Sequence, residues 1–300
     1  MSGLLIPARN SLVSDLYTEE TMGHDKLRKF AENETFACLL QPSSRELLAD
    51  GFFNLKDHPI KGRWREKMFP GGAPDAPLVL ELGCGKGEYT VDLALRNPDS
   101  DYVGVDIKGA RLWKGAGRVT REHIGNAAFL RTRVEFITAF FAPGEVSEIW
   151  LTFSDPQFRS ENSRLTSPLF LERYRSMLKP GGVVRLKTDS MFLHRYTRAV
   201  CAANSLRILS CTEDLYGSDD LLIEPEVREV QTFYEKMFRE QGYDITYLSF
   251  VIDHDGPFVS PRDPEDFDSA YWRSVEGPRV LFGHDSAETR RQKLKTAPGE

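Results

Sequence analysis

The run Glu81-Leu82-Gly83-Cys84-Gly85-Lys86-Gly87 sets an acidic residue ahead of three glycines at alternate positions. A short apolar stretch, Pro77 to Leu82, leads into it, and Tyr89 to Leu95 follows with helical spacing. Strand, turn and helix in that order put exposed backbone at a strand's carboxyl end, where open α/β sheets hold small molecules. The glycine spacing is GxGxG, and Glu88 stands where the dinucleotide fingerprint GxGxxG needs its third glycine, which disfavours a nicotinamide cofactor. Asp106 falls near the end of the next apolar run, Tyr102 to Ile107, where a carboxylate can accept both hydroxyl protons of a ribose. S-adenosylmethionine carries that ribose but no phosphate, so an acidic turn suits it better than a phosphate-bearing cofactor. It is the expected cofactor, bound by Glu81, Gly83, Gly85, Gly87 and Asp106, with Glu81 contacting its methionine end or ordering the turn.

A second pair of carboxylates is placed to choose the acceptor. Phe153-Ser154-Asp155-Pro156-Gln157-Phe158 follows the fourth strand and Lys187-Thr188-Asp189 ends the fifth, so Asp155 and Asp189 are expected on the rim of the same pocket. Asp155 there would border both cofactor and acceptor. This arrangement suits a purine. Guanine N7 has a free lone pair and loses no proton on attack, so its methylation needs alignment more than a general base. Carboxylates accepting from guanine N1–H and N2–H2 would fix the ring. Aspartate also caps helices and turns, and either residue could serve only in that way.

These segments, taken in order, resemble the bacterial tRNA (guanine(46)-N7)-methyltransferase family over about Leu78 to Ile252. The resemblance rests on Glu81 to Gly87, Asn97-Pro98-Asp99, Gly104-Val105-Asp106, Phe153 to Gln157, Leu178 to Gly182, Thr188-Asp189 and Thr232-Phe233-Tyr234-Glu235. It implies a Rossmann-like class I methyltransferase that moves a methyl group from S-adenosylmethionine to guanine N7 in tRNA. Asp155 and Asp189 would orient the base, and Thr232, Phe233, Tyr234 and Glu235 would close over it. Arg159, in the place of the family's Lys, would bind substrate. Ser154 and Gln157 stand where the family has Pro and Trp, and Arg133 lies near the place of an adenine-side Asp.

The elements that must position these residues alternate regularly. Apolar runs at Pro77 to Leu82, Tyr102 to Ile107, Ala128 to Arg133, Glu148 to Phe153 and Val183 to Lys187 read as strands. Helical spacing covers Tyr89 to Leu95, Ala110 to Ile124, Leu169 to Leu178, Met191 to Ala203 and Pro225 to Gln241, with a stop at Lys179-Pro180-Gly181-Gly182. With edge strands at Leu206 to Cys211 and Ile245 to Ile252, a doubly wound, mostly parallel, seven-stranded α/β sheet is expected. The breaker cluster Pro70 to Pro74 closes an N-terminal extension over 1–75, ahead of a catalytic domain over 76–255 and a C-terminal extension over 256–300. From Gly277 onward the composition is polar and a disordered tail is expected.

Composition narrows the setting. No apolar run approaches a membrane span, and Met1 to Asn10 lacks the features of a signal peptide, so a cytoplasmic protein is expected. The four cysteines form no CxxC pair and the six histidines are scattered, so neither a disulfide framework nor a metal site is expected. The net charge of −6 opposes nucleic-acid binding through overall charge, and a local basic face would have to supply it. Lys108, Arg111, Lys114, Arg118 and Arg121 offer such a stripe at helical spacing, supplemented by Arg159, Arg164, Arg195 and Arg198. Trp113 and Trp150 read as core or interface residues. A monomer or homodimer is compatible with all of this. Two further readings stay open: methylation of an exocyclic or protein amine or another RNA site, and a noncatalytic methyltransferase-like RNA-binding protein.

Overall fold

Leu78–Leu82 (β2) and Asp101–Asp106 (β3) are buried at every position, as strands are when helices cover both faces of their sheet. The computed structural model describes residues 25–48, 54–261 and 267–276. Beside these two strands lie Leu39–Leu40 (β1), Ala127–Arg131 (β4), Val146–Thr152 (β5), Leu178–Thr188 (β6), Ile208–Thr212 (β7) and Thr246–Val251 (β8). Their spatial order is β1-β4-β3-β2-β5-β6-β8-β7. Pairings are parallel except where β8 meets β6 and β7. The chain runs outward from β2 through β3 to β4, then returns to place β5 on the other side of β2, so the switch point falls between β2 and β5.

The helices are a segment over 25–33 (α1), Ser44–Leu47 (α2), Trp64–Met68 (α3), Glu88–Arg96 (α4), Gly109–Glu122 (α5), Pro168–Arg175 (α6), Met191–Ala203 (α7), Pro225–Glu229 (α8), Phe233–Glu240 (α9) and Ser269–Glu276 (α10). Strand alternation divides the core in two. Leu78, Leu80 and Leu82 point into one apolar cluster with Val103, Ile149 and Leu186, while Val79 joins Tyr102, Phe129 and Trp150 on the opposite face.

The mostly parallel, doubly wound sheet is as expected, with eight strands among the described residues instead of seven. The added strand comes from the N-terminal extension: Leu39 and Leu40 pair with Phe129 and Leu130 of β4. Two residues are too few to show a period, which is why the strand escaped sequence reading. Trp64 packs as well: it is fully buried, stacks on Phe141 at 5.0 Å and donates its indole N–H to the Phe140 carbonyl at 2.9 Å.

Two helix boundaries differ from expectation. α6 stops at Arg175 and β6 already starts at Leu178, so Lys179 to Gly182 interrupts a strand and does not end a helix. Leu178 faces Val146 and Val183 faces Glu148, with the four residues between looped out of the ladder. The helix expected over Pro225 to Gln241 is two helices, because Val230 is extended (φ −79°, ψ 116°) and Thr232 caps α9 by accepting from the Glu235 N–H at 3.1 Å. The tail expected from Gly277 onward lies outside the described residues. No helix among the described residues is long and apolar enough to cross a membrane.

Candidate functional site

The turn after β2 is built on left-handed backbone, with φ of 81° at Gly83, 57° at Gly85 and 70° at Gly87. A Cβ on Gly83 or Gly85 would project into open space, whereas one on Gly87 would lie 2.4 Å from the Phe129 ring. The first two glycines leave a bare cradle; the third lets α4 settle against β4. Gly83 and Cys84 donate their N–H groups to the Val105 carbonyl at 2.8 and 3.0 Å. Asp106 clamps the turn from behind, accepting from the Gly85 N–H at 3.0 Å and the Lys108 N–H at 2.7 Å. Its side chain lies outside the cavity lining.

Glu81 is buried under this turn. One carboxylate oxygen accepts from the Thr152 hydroxyl at 2.5 Å, the other from the Thr90 N–H at 2.9 Å and the Thr90 hydroxyl. Burial outweighs these bonds and pushes its pKa from 4.5 up to about 7. The folded chain therefore holds this proton between those pH values while the unfolded chain releases it, so the group's contribution to stability is lost as pH rises. The ligand-free protein is expected to lose about 3 kcal/mol through Glu81 alone between pH 4.5 and 7. Urea titrations of wild type and Glu81→Gln check this: only the wild type should show the slope, and equal slopes would refute it.

A cavity of about 690 Å³ opens above the turn, a volume suited to a nucleoside-sized ligand together with an acceptor base. Glu81, Gly83, Gly85, Asp155 and Asp189 all line it. Bare glycine backbone beside a buried carboxylate fits S-adenosylmethionine, whose ammonium needs an acidic partner and which brings no phosphate. Gly87 is outside the lining, and its part is packing.

The loop after β5, on the rim of the cavity, is held under strain. Phe153 (φ 50°) and Gln157 (φ 48°) are non-glycine residues in the left-handed region, flanking Ser154 to Pro156. Asp155 is exposed at the rim and accepts from the Gln157 N–H at 2.9 Å. The Ser154 hydroxyl is buried without a hydrogen-bond partner. Arg164 holds the loop, donating to the carbonyls of Gln157 and Phe158 at 3.3 and 3.2 Å and lying over the rings of Phe192 and Tyr196. It is only 5% exposed, so its expected place on a phosphate-tracking surface is corrected: the guanidinium is spent inside the protein. Arg159 is exposed and off the cavity lining.

Thr232 and Tyr234 line the cavity, and exposed Phe233 sits beside Tyr234 with the Lys86 ammonium over both rings at 5.5 and 5.2 Å. Glu235 turns the other way. It is fully buried, 2.7 Å from the Lys187 ammonium and 2.6 Å from the Tyr216 hydroxyl that donates to it. Lys187 also donates to the carbonyls of Val227 and Val230 at 2.7 and 2.9 Å. Burial pulls its pKa from 10.5 down to about 8. Lys187 thus ties α8 and α9 to the strand carrying Asp189. Sequence reasoning passed over it, because Arg185 and Lys187 alternate with Val184 and Leu186 as on a strand with one solvated face.

The basic stripe on α5 is partly neutralised: Lys114 pairs with Glu88 at 2.9 Å, and Arg118 with Asp92 at 2.8 Å and Glu122 at 3.1 Å. Arg111 lines the cavity. Trp113 is covered by α1, donating to Glu32 at 2.6 Å with Arg28 and Lys29 over its ring. Also unforeseen are Arg273 and Glu276 of α10 on the cavity wall. Among the described residues, no group of three His, Cys, Asp or Glu is placed to hold a metal ion.

Residues 75–248 match the family described as "Putative methyltransferase". A tRNA (guanine-N(7)-)-methyltransferase of Christiangramia forsetii is 48% identical over 230 residues, 76% of this chain and 98% of that protein. The chain belongs to the tRNA (guanine-N(7)-)-methyltransferase family. Members from Bacteroides thetaiotaomicron and Bacteroides fragilis are 44% and 42% identical over 80% and 83% of this chain. These alignments exceed the length of the matched methyltransferase segment, so the likeness takes in more of the chain than the strands that carry the cavity.

Proposed function

We propose that this methyltransferase moves the methyl group of S-adenosylmethionine to N7 of a guanine in tRNA, guanine 46 by resemblance, in the cytoplasm. The observation that carries the reading is the placement of Asp155 and Asp189, at the ends of neighbouring strands, on one cavity floored by the glycine turn and Glu81. Glu81, Gly83, Gly85, Gly87 and Asp106 hold the cofactor or the turn that receives it, with Asp155 at the border to the acceptor. When bound, the cofactor supplies an electrophilic methyl group on a sulfonium centre.

The chain's own work is alignment. N7 gives up no proton, so no base has to stand beside it. Asp189 and Asp155 accept from N1–H and N2–H2 and fix the ring in the plane of attack. As N7 gains its methyl group the ring becomes positive, and both carboxylates hold it more strongly than the neutral base. That difference lowers the barrier instead of merely tightening binding. Tyr234 and Phe233 supply aromatic surface at the mouth, and Lys86, Arg111 and Arg159 supply charge for the RNA backbone.

The test is incubation with labelled cofactor and unmodified tRNA, followed by N7-specific strand cleavage. Label is expected at guanine N7, and label at any other atom overturns the reading.

A further inference from the structure

We infer that Glu276, on a helix outside the segment matched by the family, is a positioning residue that sets the acceptor carboxylate of Asp189. The inference rests on the role given to Asp189 above. Ser190 follows Asp189 directly and caps α7, accepting from the Leu193 N–H at 3.1 Å. Its hydroxyl has one proton to give, and gives it to Glu276 at 2.6 Å. The second oxygen of Glu276 accepts from the Phe192 N–H at 2.9 Å. A carboxylate from a distant part of the chain thus closes the first turn of α7, where unpaired N–H groups and the helix dipole favour negative charge. Glu276 is 5% exposed, so the link is shielded from water.

The turn that presents Asp189 is fixed from three directions. Thr246 donates to the Thr188 carbonyl at 3.0 Å, and the Ser190 N–H donates to the Thr188 hydroxyl at 3.0 Å. Glu276 is the third. It alone of the three comes from beyond residues 75–248.

Packing ties the same helix to the other acceptor loop. Trp272 meets Phe192 at 5.6 Å, and Phe267, just ahead of the helix, meets Tyr196 edge-on at 5.6 Å. Phe192 in turn meets Phe158, at the end of the Asp155 loop, at 4.9 Å. α10 therefore abuts the supports of both acceptor carboxylates and places Arg273 and Glu276 on the wall they face. Transfer between aligned atoms is sensitive to displacements of an ångström or less, so loosening this link should act on rate more than on fold.

Kinetics of the full chain test this. Glu276→Ala is expected to lower kcat/KM for unmodified tRNA about 10- to 100-fold, with calorimetric affinity for S-adenosylmethionine within about twofold of wild type. Glu276→Gln, which keeps one acceptor oxygen, should recover part of the loss and guards against a misfolded alanine variant. Ser190→Ala combined with Glu276→Ala should lose less than the product of the two single losses, because both remove the one bond that Ser190 and Glu276 share. Wild-type kinetics in Glu276→Ala, a parallel loss of cofactor affinity, or multiplying losses in the double variant would each overturn the inference. A wild-type chain that leaves guanine N7 unlabelled overturns the reading beneath it, and the inference with it.

Discussion

Asp189→Ala is expected to lower kcat/KM for unmodified tRNA by about 10²- to 10⁴-fold while leaving cofactor affinity nearly unchanged. Each charge-assisted hydrogen bond to the guanine edge contributes about 1.5–3 kcal/mol, and an Asp189 carboxylate that accepts from both N1–H and one N2–H makes two, which correspond to that range at about 1.4 kcal/mol per tenfold. Asp189 is 6% exposed, so little water would replace the missing acceptor. Asp189→Asn keeps one carbonyl oxygen and should fall between. Steady-state kinetics beside calorimetry separate the roles: equal loss of transfer and cofactor binding would move Asp189 into the cofactor site. Asp155 gives a contrasting case, because its carboxylate also holds the Gln157 N–H. Asp155→Ala should abolish transfer partly through reshaping of the strained loop, with Arg164 still donating to the carbonyls of Gln157 and Phe158.

The largest effect on stability is expected at the buried pair of Lys187 and Glu235. Glu235→Leu leaves a buried ammonium with two carbonyls and no counter-charge, and loss of one partner of such a pair costs about 3–5 kcal/mol. Urea unfolding measures it. The pH dependence has a definite sign. The folded-state pKa of Lys187 is already below its ordinary value and drops further without Glu235. The unfolded variant then binds a proton that the folded one lacks, so its stability should climb with pH up to about 10.5, the ordinary lysine value. Lys187→Met with Glu235→Leu should restore most of the loss, since an apolar pair needs no mutual compensation. A double variant as unstable as Glu235→Leu would show that something other than the stranded charge is responsible.

These residues also mark what sequence could reveal. The glycine turn was legible because left-handed backbone requires glycine, and the placement of Asp155 and Asp189 on one cavity because the strand ends of an open sheet border a common crevice. Their separation into two neighbouring strands followed from the alternation alone. The direction of Glu235 was not legible. It depends on Lys187, 48 positions away in the sequence and in contact only once β6 and α9 are packed. The same holds for Glu276, which reads as part of a C-terminal extension until α7 offers it two donors. The spacing also placed Asp106 beside the turn, while only the fold shows that its oxygens accept from the Gly85 and Lys108 N–H groups.

The two-residue pairing of Leu39 and Leu40 with β4 has a consequence for handling the protein. It covers the hydrogen-bonding edge of a strand whose Phe129 and Leu130 are fully buried. A fragment cut to begin where the family match begins, at residue 75, keeps every carboxylate of the cavity yet bares that edge. Bare apolar edges recruit other strands, so such a fragment would self-associate before it could be assayed. The segment that carries the cavity's carboxylates is thus shorter than the one that keeps the edge of β4 covered.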